Sequence, residues 1–302
     1  MQPTKHLILL GGPTASGKTK LAIELARELG TEVLNADSRQ FYRQMRIGTA
    51  VPSDEELAAA PHHFIQSHDA AMPLSAADYE TQALPLSEDL FKTKDTLVVC
   101  GGSGLYLQAL SEGLDPLPPA DLAYRAELEE LFKKEGVAAL AALLKEKDPE
   151  KAANMDLKNP RRVIRSLEII HAGPIPESLK KKVPRTFKVI PLFLNLERDE
   201  LYARIDLRVE SMMEAGLLEE VKSLLPLRDS ASLQTVGYRE LFDHIDGLYS
   251  LEEAIEKIKQ HTRNYAKRQL TWFRNKGNYQ EVFDLESAMK VINASLTAAN
   301  AH

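Results

Sequence analysis

Residues 11–19 read GGPTASGKT, and the stretch from Gly12 to Thr19 matches the phosphate-binding loop pattern G-x-x-x-x-G-K-[ST] at every fixed position. The apolar run 6–10 before it is typical of a buried strand, and residues 20–29 have a helical pattern that Gly30 would end. A strand, a glycine-rich loop and a helix in this order turn backbone N–H groups toward an anion. The stretch therefore predicts an α/β fold that binds a phosphate ester.

The pattern also assigns roles within the loop. Lys18 would reach the terminal phosphates, and the Thr19 hydroxyl would bind Mg²⁺. A chance match on a glycine-rich turn is the alternative, but it leaves the flanking strand and helix unexplained. We expect the diphosphate- or nucleotide-binding residues here to be Gly12, Pro13, Thr14, Ala15, Ser16, Gly17, Lys18 and Thr19.

The composition of the 302-residue chain, 44% hydrophobic and 27% charged, is that of a soluble globular protein. Because it has no run of about 18 apolar residues, we expect no membrane span. The first strand starts too early to leave room for a signal peptide. The single cysteine, Cys100, excludes a disulfide framework and a cysteine-based zinc module. We therefore expect a cytoplasmic protein, and a monomer, since nothing in the sequence demands a dimer.

The charge distribution indicates a polyanionic partner. A net charge of −6 argues against a general nucleic-acid binder. However, residues 257–276 contain seven lysines and arginines and no acidic residue, and residues 158–185 contain eight against two. At about 100° per residue, Arg263, Lys267 and Arg274 share one helix face, interleaved with polar Asn264, Gln269 and Asn275. We interpret this face as a phosphate-contacting surface rather than a solvated one.

Further strands are expected at 32–36, 95–100 and 187–194. The first ends at Asp37, where α/β sheets place ligands, although a helix-capping role is the alternative. The strand 95–100 ends in glycines rather than in the aspartate with which many NTPases hold Mg²⁺, which argues against a plain ATPase. Residues 48–52 and 61–64 are interpreted as loops.

Composition changes at residues 116–119, a proline-rich break. From 120 to about 171 the pattern is helical, with Asn159 as an expected N-cap before Pro160. Residues 175–185 are expected to form a mobile loop, and the tail after Asp284 carries no usable signal. The predicted fold is a P-loop NTPase-like parallel sheet flanked by helices, with an all-helical insertion. The predicted domains are 1–118 and 186–302 for the catalytic core, which ends in the basic helix, and 119–185 for the helical insertion.

Six segments of this sequence together resemble the tRNA dimethylallyltransferase (tRNA isopentenyltransferase) family, bacterial in type. The resemblance runs from the first strand to about Arg274. The segments are 12–19 (GPTASGKT), 37–40 (DSRQ), 101–106 (GGSGLY), 159–165 (NPRRVIR), 236–239 (VGYR) and 262–274 (TRNYAKRQLTWFR).

This resemblance implies transfer of the dimethylallyl group of dimethylallyl diphosphate to N6 of the adenosine 3′-adjacent to the anticodon in tRNA. It implies Mg²⁺ as cofactor and the anticodon stem-loop as partner. Asp37 would be the general base, and Ser103 stands where the family has a threonine near the reacting atoms. With Lys18 these are the expected catalytic residues, and Arg208, with or without Arg204, would hold the diphosphate from the far side.

The tRNA-contacting residues are expected both on the catalytic core and on the insertion 119–185. Arg125 matches a family arginine that contacts tRNA, and Gln40 is our candidate for reading a base edge. The full set is Asp37, Ser38, Arg39, Gln40, Ser103, Arg125, Arg161, Arg162, Arg165, Gly237, Tyr238, Arg263, Lys267, Arg268 and Arg274.

Three other functions stay open from the sequence. An isopentenyltransferase acting on free adenine nucleotides would share the loop but would need neither basic segment. A P-loop small-molecule kinase would use Asp37 but leaves the same segments without a role. A non-enzymatic, nucleotide-gated RNA binder would show no turnover with any diphosphate.

Overall fold

One parallel sheet organises the protein. The computed structural model describes residues 4–118, 121–174, 182–276 and 278–300. In these ranges six strands form a single sheet in the order β3-β2-β4-β1-β5-β6. The strands, in chain order, are β1 (Lys5–Gly11), β2 (Val33–Asn35), β3 (His62–His63), β4 (Thr96–Gly101), β5 (Phe187–Leu194) and β6 (Gln280–Val282). The parallel sheet flanked by helices confirms the predicted fold class.

The helices follow the caps that the sequence provides. Ser53, Ser75 and Ser250 each close a capping box at the start of a helix. The helices are α1 (Lys18–Glu28), α2 (Asp54–Ala59), α3 (Ala76–Leu90), α4 (Gly104–Glu112), α5 (Leu122–Lys147), α6 (Pro149–Ala153), α7 (Pro160–Ala172), α8 (Arg198–Glu214), α9 (Leu217–Ser223), α10 (Tyr238–Ile245), α11 (Leu251–Asn275) and α12 (Leu285–Asn300).

Alternation along the strands divides the core into two layers. Leu7 and Leu9 of β1 point into one apolar cluster, whereas Ile8 and Leu10 point into the other. The second cluster packs against α1 and α12, and the first lies under α3, α10 and α11. Because both faces of β1 are covered, its four apolar residues are almost fully buried.

The carboxyl ends of β1, β2 and β4 lie side by side near the centre of the sheet. β1 pairs with β4 on one side and with β5 on the other. β2 pairs with β4, so the segments that follow β1, β2 and β4 emerge at one edge. Parallel sheets bind ligands at the carboxyl ends of their strands, and this edge is where the phosphate-binding loop begins.

The chain divides into two compact units, one formed by the residues up to Gly113 and from Arg185, and one formed by Leu114 to Pro184. The second unit contains α5, α6 and α7 around its own core, with Leu128, Leu140 and Val163 among its buried residues. Asn159 caps α7 ahead of Pro160, as predicted. Gly136, at φ 76°, breaks α5 in the middle, a left-handed conformation that favours glycine.

Two sequence-based expectations need correction. Residues 61–64 were expected to be a loop, but His62 and His63 form the short edge strand β3. The tail after Asp284, where no signal was found, contains α12, and the short strand β6 lies just before it. The expected loop 175–185 lies mostly outside the described residues, and residues 183–185 have no regular structure. None of the helices in the described ranges combines the length and apolar character needed to cross a bilayer.

Candidate active site

The phosphate-binding loop joins β1 to α1 in a conformation set by its own backbone. Ala15 and Gly17 have positive φ values of 62° and 89°, and the Ser16 N–H donates to the Pro13 carbonyl. α1 begins at Lys18 without a side-chain cap, so its first N–H groups face the loop. The Lys18 ammonium is buried and donates to Pro13 O at 3.2 Å. Burial lowers the pKa of Lys18, and the nearby charge of Asp37 opposes this effect.

Asp37 lies in a tight turn directly after β2. Its backbone N–H donates to Asn35 Oδ1 at 3.1 Å, and its Oδ1 accepts from the Arg39 N–H at 3.1 Å. The Arg39 guanidinium donates to the carbonyl of Ser232 at 2.9 Å. These bonds fix the carboxylate of Asp37 at the carboxyl end of the sheet, and no described residue donates a hydrogen bond to its second oxygen.

Ser103 links three parts of the site. Its hydroxyl accepts from the Ser38 N–H at 3.2 Å and lies 3.0 Å from Ser38 Oγ. The phenol of Tyr265, on α11, interacts with Ser103. Burial raises the pKa of Tyr265 to about 12, with a further increase from the charge of Asp37. The phenol therefore stays protonated at neutral pH and can act as a donor.

Asp37, Ser38 and Tyr265 line a cavity of about 170 Å³, and Ser103 is not among its lining residues. Lys18, Thr19 and Asp37 line it from the sheet edge, and Arg208 of α8 lines it from the opposite side. Arg208 donates to the Thr49 carbonyl at 3.5 Å, and burial lowers the pKa of its guanidinium while Asp37 opposes this. The cavity is thus lined by three cations, Lys18, Arg39 and Arg208, and by one carboxylate, Asp37.

Arg204 has a different position from Arg208. It pairs with Glu200 at 2.7 Å and lines an open groove along the phosphate-binding loop. The spacing of Arg204 and Arg208 predicts a pair that acts as one clamp. Of the two, only Arg208 lines the inner cavity, but both line the open groove together with Lys18 and Thr19.

Gln269 connects α11 to two loops of the site. Its Oε1 accepts from the Thr14 N–H at 3.0 Å, and its Nε2 donates to the Gly102 carbonyl at 2.9 Å. A Cβ on Gly102 would lie 2.2 Å from Nε2, so this approach requires glycine. Sequence analysis placed Gln269 on the phosphate-contacting face of the helix, which is wrong because the side chain is buried.

The predicted tRNA contacts within the core unit fall into different environments. Arg263 forms an ion pair with Asp206, whereas Lys267 and Arg274 are exposed. Arg268 lies over the Tyr265 ring at 5.6 Å. Gly237 donates its N–H to Glu240 at 2.8 Å.

Tyr238 and Gln40 are more enclosed than the sequence suggested. Tyr238 is fully buried and donates its hydroxyl to Glu220 at 2.7 Å. The prediction that the Tyr238 side chain contacts tRNA is therefore wrong, because no surface of it is accessible. Gln40 is also buried, and its Nε2 donates to the carbonyls of Thr49 and Ala50 at 3.2 and 2.9 Å. Only its Oε1 is left to read a base.

A second, open cavity of about 300 Å³ adjoins the first and shares Arg39 and Tyr265 with it. Its other polar residues include Arg239, Arg268 and Asn264. Sequence analysis did not select Arg239 as a site residue. Its position next to the VGYR turn was the available signal.

The helical unit uses two of its predicted tRNA-contacting arginines for packing. Arg125 pairs with Glu168 at 2.8 Å, and Arg165 pairs with the same carboxylate at 3.4 Å and donates to the Pro118 carbonyl at 2.9 Å. Glu168 is buried between them. In contrast, Arg161 and Arg162 are exposed at the start of α7.

The residues at the inner cavity fit a weakly held Mg²⁺. In the described ranges no group of three or more histidine, cysteine or acidic side chains could hold a metal by itself. Among the side chains that line the cavity, Thr19 offers a hydroxyl next to the phosphate-binding loop and Asp37 offers the one carboxylate. Mg²⁺ commonly binds in proteins through one or two such groups together with substrate phosphates and water. The donor set therefore fits an ion that arrives with a phosphorylated substrate.

Comparison with known proteins agrees with these features. A family model described as IPP transferase matches residues 40–276. A tRNA dimethylallyltransferase of Cytophaga hutchinsonii is 47% identical over 272 residues, which cover 89% of this chain and 90% of that protein. A tRNA dimethylallyltransferase of Christiangramia forsetii is 46% identical over 274 residues, covering 90% and 91%.

Solved structures are similar over almost the whole chain. The tRNA isopentenylpyrophosphate transferase of Bacillus halodurans has a TM-score of 0.73 and 39% identity, and 98% of each chain is covered. A eukaryotic dimethylallyltransferase acting on tRNA has a TM-score of 0.71 and 25% identity, covering 98% of this chain and 78% of its own. Given a family model that matches more than half of the sequence and relatives that match nine-tenths of it, this chain belongs to the IPP transferase family of prenyltransferases, the tRNA dimethylallyltransferases.

Proposed function

We propose that this chain transfers the dimethylallyl group of dimethylallyl diphosphate to N6 of the adenosine 3′-adjacent to the anticodon in tRNA and releases diphosphate. One observation carries the proposal. A single cavity holds the cations Lys18 and Arg208 together with the carboxylate of Asp37. This arrangement suits a reaction that expels an anion and removes a proton, and the relatives named above are tRNA dimethylallyltransferases.

The diphosphate would bind at the cationic side of the cavity. Its oxygens would accept from the N–H groups of the loop and the start of α1, from the Lys18 ammonium and from the Arg208 guanidinium. These donors are already fixed, so they stabilise the charge that develops as the bond between prenyl carbon and diphosphate oxygen breaks. Mg²⁺ bound to the Thr19 hydroxyl would add positive charge to the same leaving group.

The adenine would enter beside Asp37. Its N6 forms a bond to the prenyl carbon as the carbon–oxygen bond breaks, and the N6 proton passes to the Asp37 carboxylate. A positioned base of this kind contributes about 10²- to 10⁴-fold to a rate. The Ser103 hydroxyl, which accepts from the Ser38 N–H, would hydrogen-bond the reacting base.

The RNA itself would be held by exposed cations outside the cavity. A stacked adenosine cannot reach Asp37, so the nucleotide would flip out of the anticodon loop. Arg39 and Arg268, which line the open cavity, are suited to neighbouring phosphates or bases, as are Lys267 and Arg274 on α11. Arg161 and Arg162 of the helical unit would contact phosphates without reading sequence. We expect the protein to act as a cytoplasmic monomer.

The test supplies isotopically labelled dimethylallyl diphosphate and Mg²⁺ with an unmodified anticodon stem-loop, beside AMP and ATP as rival acceptors. We expect label in the RNA alone, on the adenosine 3′ of the anticodon. Label in a mononucleotide would replace tRNA by free adenine nucleotides as substrate. Label in neither acceptor would contradict the proposed reaction, and phosphate transfer from ATP in the same mixture would indicate a kinase.

A further inference from the structure

The loop that follows Met45 has no regular secondary structure, yet it borders the inner cavity. Gly48 and Thr49 line the cavity directly, and Arg46 and Ile47 line the groove outside it. Such a segment needs bonds from elsewhere to stay in place, because its backbone groups have no strand or helix partner.

One carboxylate supplies those bonds. Glu220 Oε2 accepts from the N–H groups of Arg46 at 2.9 Å and Ile47 at 2.7 Å. Its Oε1 accepts from the Gly48 N–H at 3.0 Å and from the Tyr238 hydroxyl at 2.7 Å. Three successive N–H groups that converge on one point form an anion-binding concavity, and here the anion is a side chain of α9.

Tyr238 completes the contact from the core. Burial raises the pKa of Tyr238 well above its ordinary value, and the charge of Glu220 raises it further, so the hydroxyl remains a donor. A Cβ on Gly48 would lie 2.7 Å from the Tyr238 ring. The loop therefore rests directly on the aromatic ring and cannot move toward it.

The carbonyl groups of the same loop contact residues that line the cavity. Thr49 O accepts from Arg208 at 3.5 Å and from Gln40 Nε2 at 3.2 Å. Ala50 O accepts from the same amide at 2.9 Å. Arg208 has no salt bridge in the described part of the chain, and there its guanidinium donates to the Thr49 carbonyl.

We propose that Glu220 is a positioning residue for the diphosphate, acting through the 46–49 backbone to aim the Arg208 guanidinium into the cavity. It does not line the inner cavity itself. The inference rests on the proposed function insofar as it assigns the anion held by Arg208 to the diphosphate of the prenyl donor.

The test compares Glu220→Gln with Glu219→Gln, a matched change on the same helix at an exposed site. The glutamine amide in Glu220→Gln keeps one oxygen, which can still accept from one pair of donors. Its NH₂ group then faces the other pair, so two donors that now bind a carboxylate oxygen lose their acceptor. We expect the dissociation constant for inorganic pyrophosphate, measured by calorimetry with Mg²⁺, to rise at least tenfold, the size of one lost charged hydrogen bond. The KM for dimethylallyl diphosphate should rise similarly, while the KM for tRNA stays within about twofold. Glu219→Gln should change neither.

A double-mutant cycle separates positioning from general loss of structure. If Glu220 acts through Arg208, Glu220→Gln should have no further effect on pyrophosphate affinity in the Arg208→Ala background. Additive losses would overturn the proposal, and so would a folded Glu220→Gln protein with wild-type pyrophosphate affinity.

If Glu220→Gln does not fold, Tyr238→Phe decides instead. It removes one of the four donors and keeps the ring, and we expect about a threefold loss of pyrophosphate affinity. An unchanged affinity in that variant would then contradict the proposal. Pyrophosphate binding can be measured without prenyl transfer. A wild-type protein that binds pyrophosphate but does not modify tRNA would refute the proposed function, and the role of Glu220 could still be tested by pyrophosphate affinity.

Discussion

The cations of the inner cavity and those of the helical unit differ in their partners. Lys18 and Arg208 donate to backbone carbonyls and form no salt bridge in the described part of the chain. Arg125 and Arg165 share the buried carboxylate of Glu168. A carbonyl orients a cation without neutralising it, whereas a carboxylate removes most of its field. The same residue types therefore build an anion site in one unit and a packing contact in the other.

The largest effect is expected from the one carboxylate in the cavity. Asp37→Asn keeps an oxygen that can accept from the Arg39 N–H, so the turn should survive. The variant cannot take a proton from N6, and we expect kcat to fall by about 10²- to 10⁴-fold. Pyrophosphate affinity should be retained or improved, because a negative charge near Lys18 and Arg208 is lost. Single-turnover kinetics that stay within about tenfold of wild type would exclude Asp37 as the base.

Lys18→Met tests two consequences of a buried cation that is bonded only to a carbonyl. The cation should be needed for prenyl transfer, and its burial should lower the free energy of unfolding. We expect prenyl transfer to fall by about 10²- to 10³-fold, as for other fixed donors that stabilise developing charge. Burial lowers the pKa of Lys18, so the unfolded chain holds that proton more tightly. The wild-type free energy of unfolding should therefore rise with pH toward the ordinary pKa of 10.5.

The melting temperatures of the two proteins check this sign. Below the folded-state pKa of Lys18 the variant should melt above wild type, because it buries no charge. The difference should narrow as the pH increases. A difference that widens as the pH increases would contradict the interpretation.

Glu168→Gln tests the second region, where Arg125 and Arg165 pair with a buried carboxylate in the core of the helical unit. The Glu168 side chain is 1% exposed, and those of Arg125 and Arg165 are 38% and 31% exposed. We expect a loss of about 2 kcal/mol in the free energy of unfolding, below the ~3–5 kcal/mol of a fully buried pair. Thermal unfolding measures it, with exposed Glu129→Gln as control. A matching loss of pyrophosphate affinity would break the distinction between the two regions.

The smallest effect is expected at the exposed arginines of the helical unit. Removing Arg161 and Arg162 together by alanine should weaken binding of the anticodon stem-loop. It should reduce the slope of log K against log salt by about 2. Lys133→Ala with Lys134→Ala removes the same charge from exposed lysines that pair with Glu130. Equal slopes in the two double variants would show that the arginines act only through net charge.

Local patterns carried much of the fold. The phosphate-binding loop, the return strand at 187–194 and the Asn159 cap depend on short-range periodicity and capping, and the structure confirms them. β3 was missed because a two-residue edge strand has no period to detect. β6 was missed for a similar reason, because its three residues are too few to show a period and form a strand only by pairing with β5.

The site was harder to predict where side chains meet across long separations. Glu168 lies on the basic helix α7 itself, but its pairing with Arg125 depends on how α5 packs on α7. Glu220 looks like one more surface acid until the loop at 46–48 folds over it. Tyr238 belongs to a family motif, yet burial determines its role. Motifs identified which segments matter, and tertiary packing decided which atoms are accessible.

The pairing of β1 with β5 affects the order in which the chain can fold. Leu7 lies opposite Val189, and the whole helical unit separates them in sequence. Contacts so distant along the chain form slowly, whereas α5 to α7 contact one another over short separations. During synthesis the helical unit can therefore complete its core while β1 lacks one neighbour. We expect the phosphate-binding loop at the end of β1 to acquire its final shape only after residue 194 has left the ribosome.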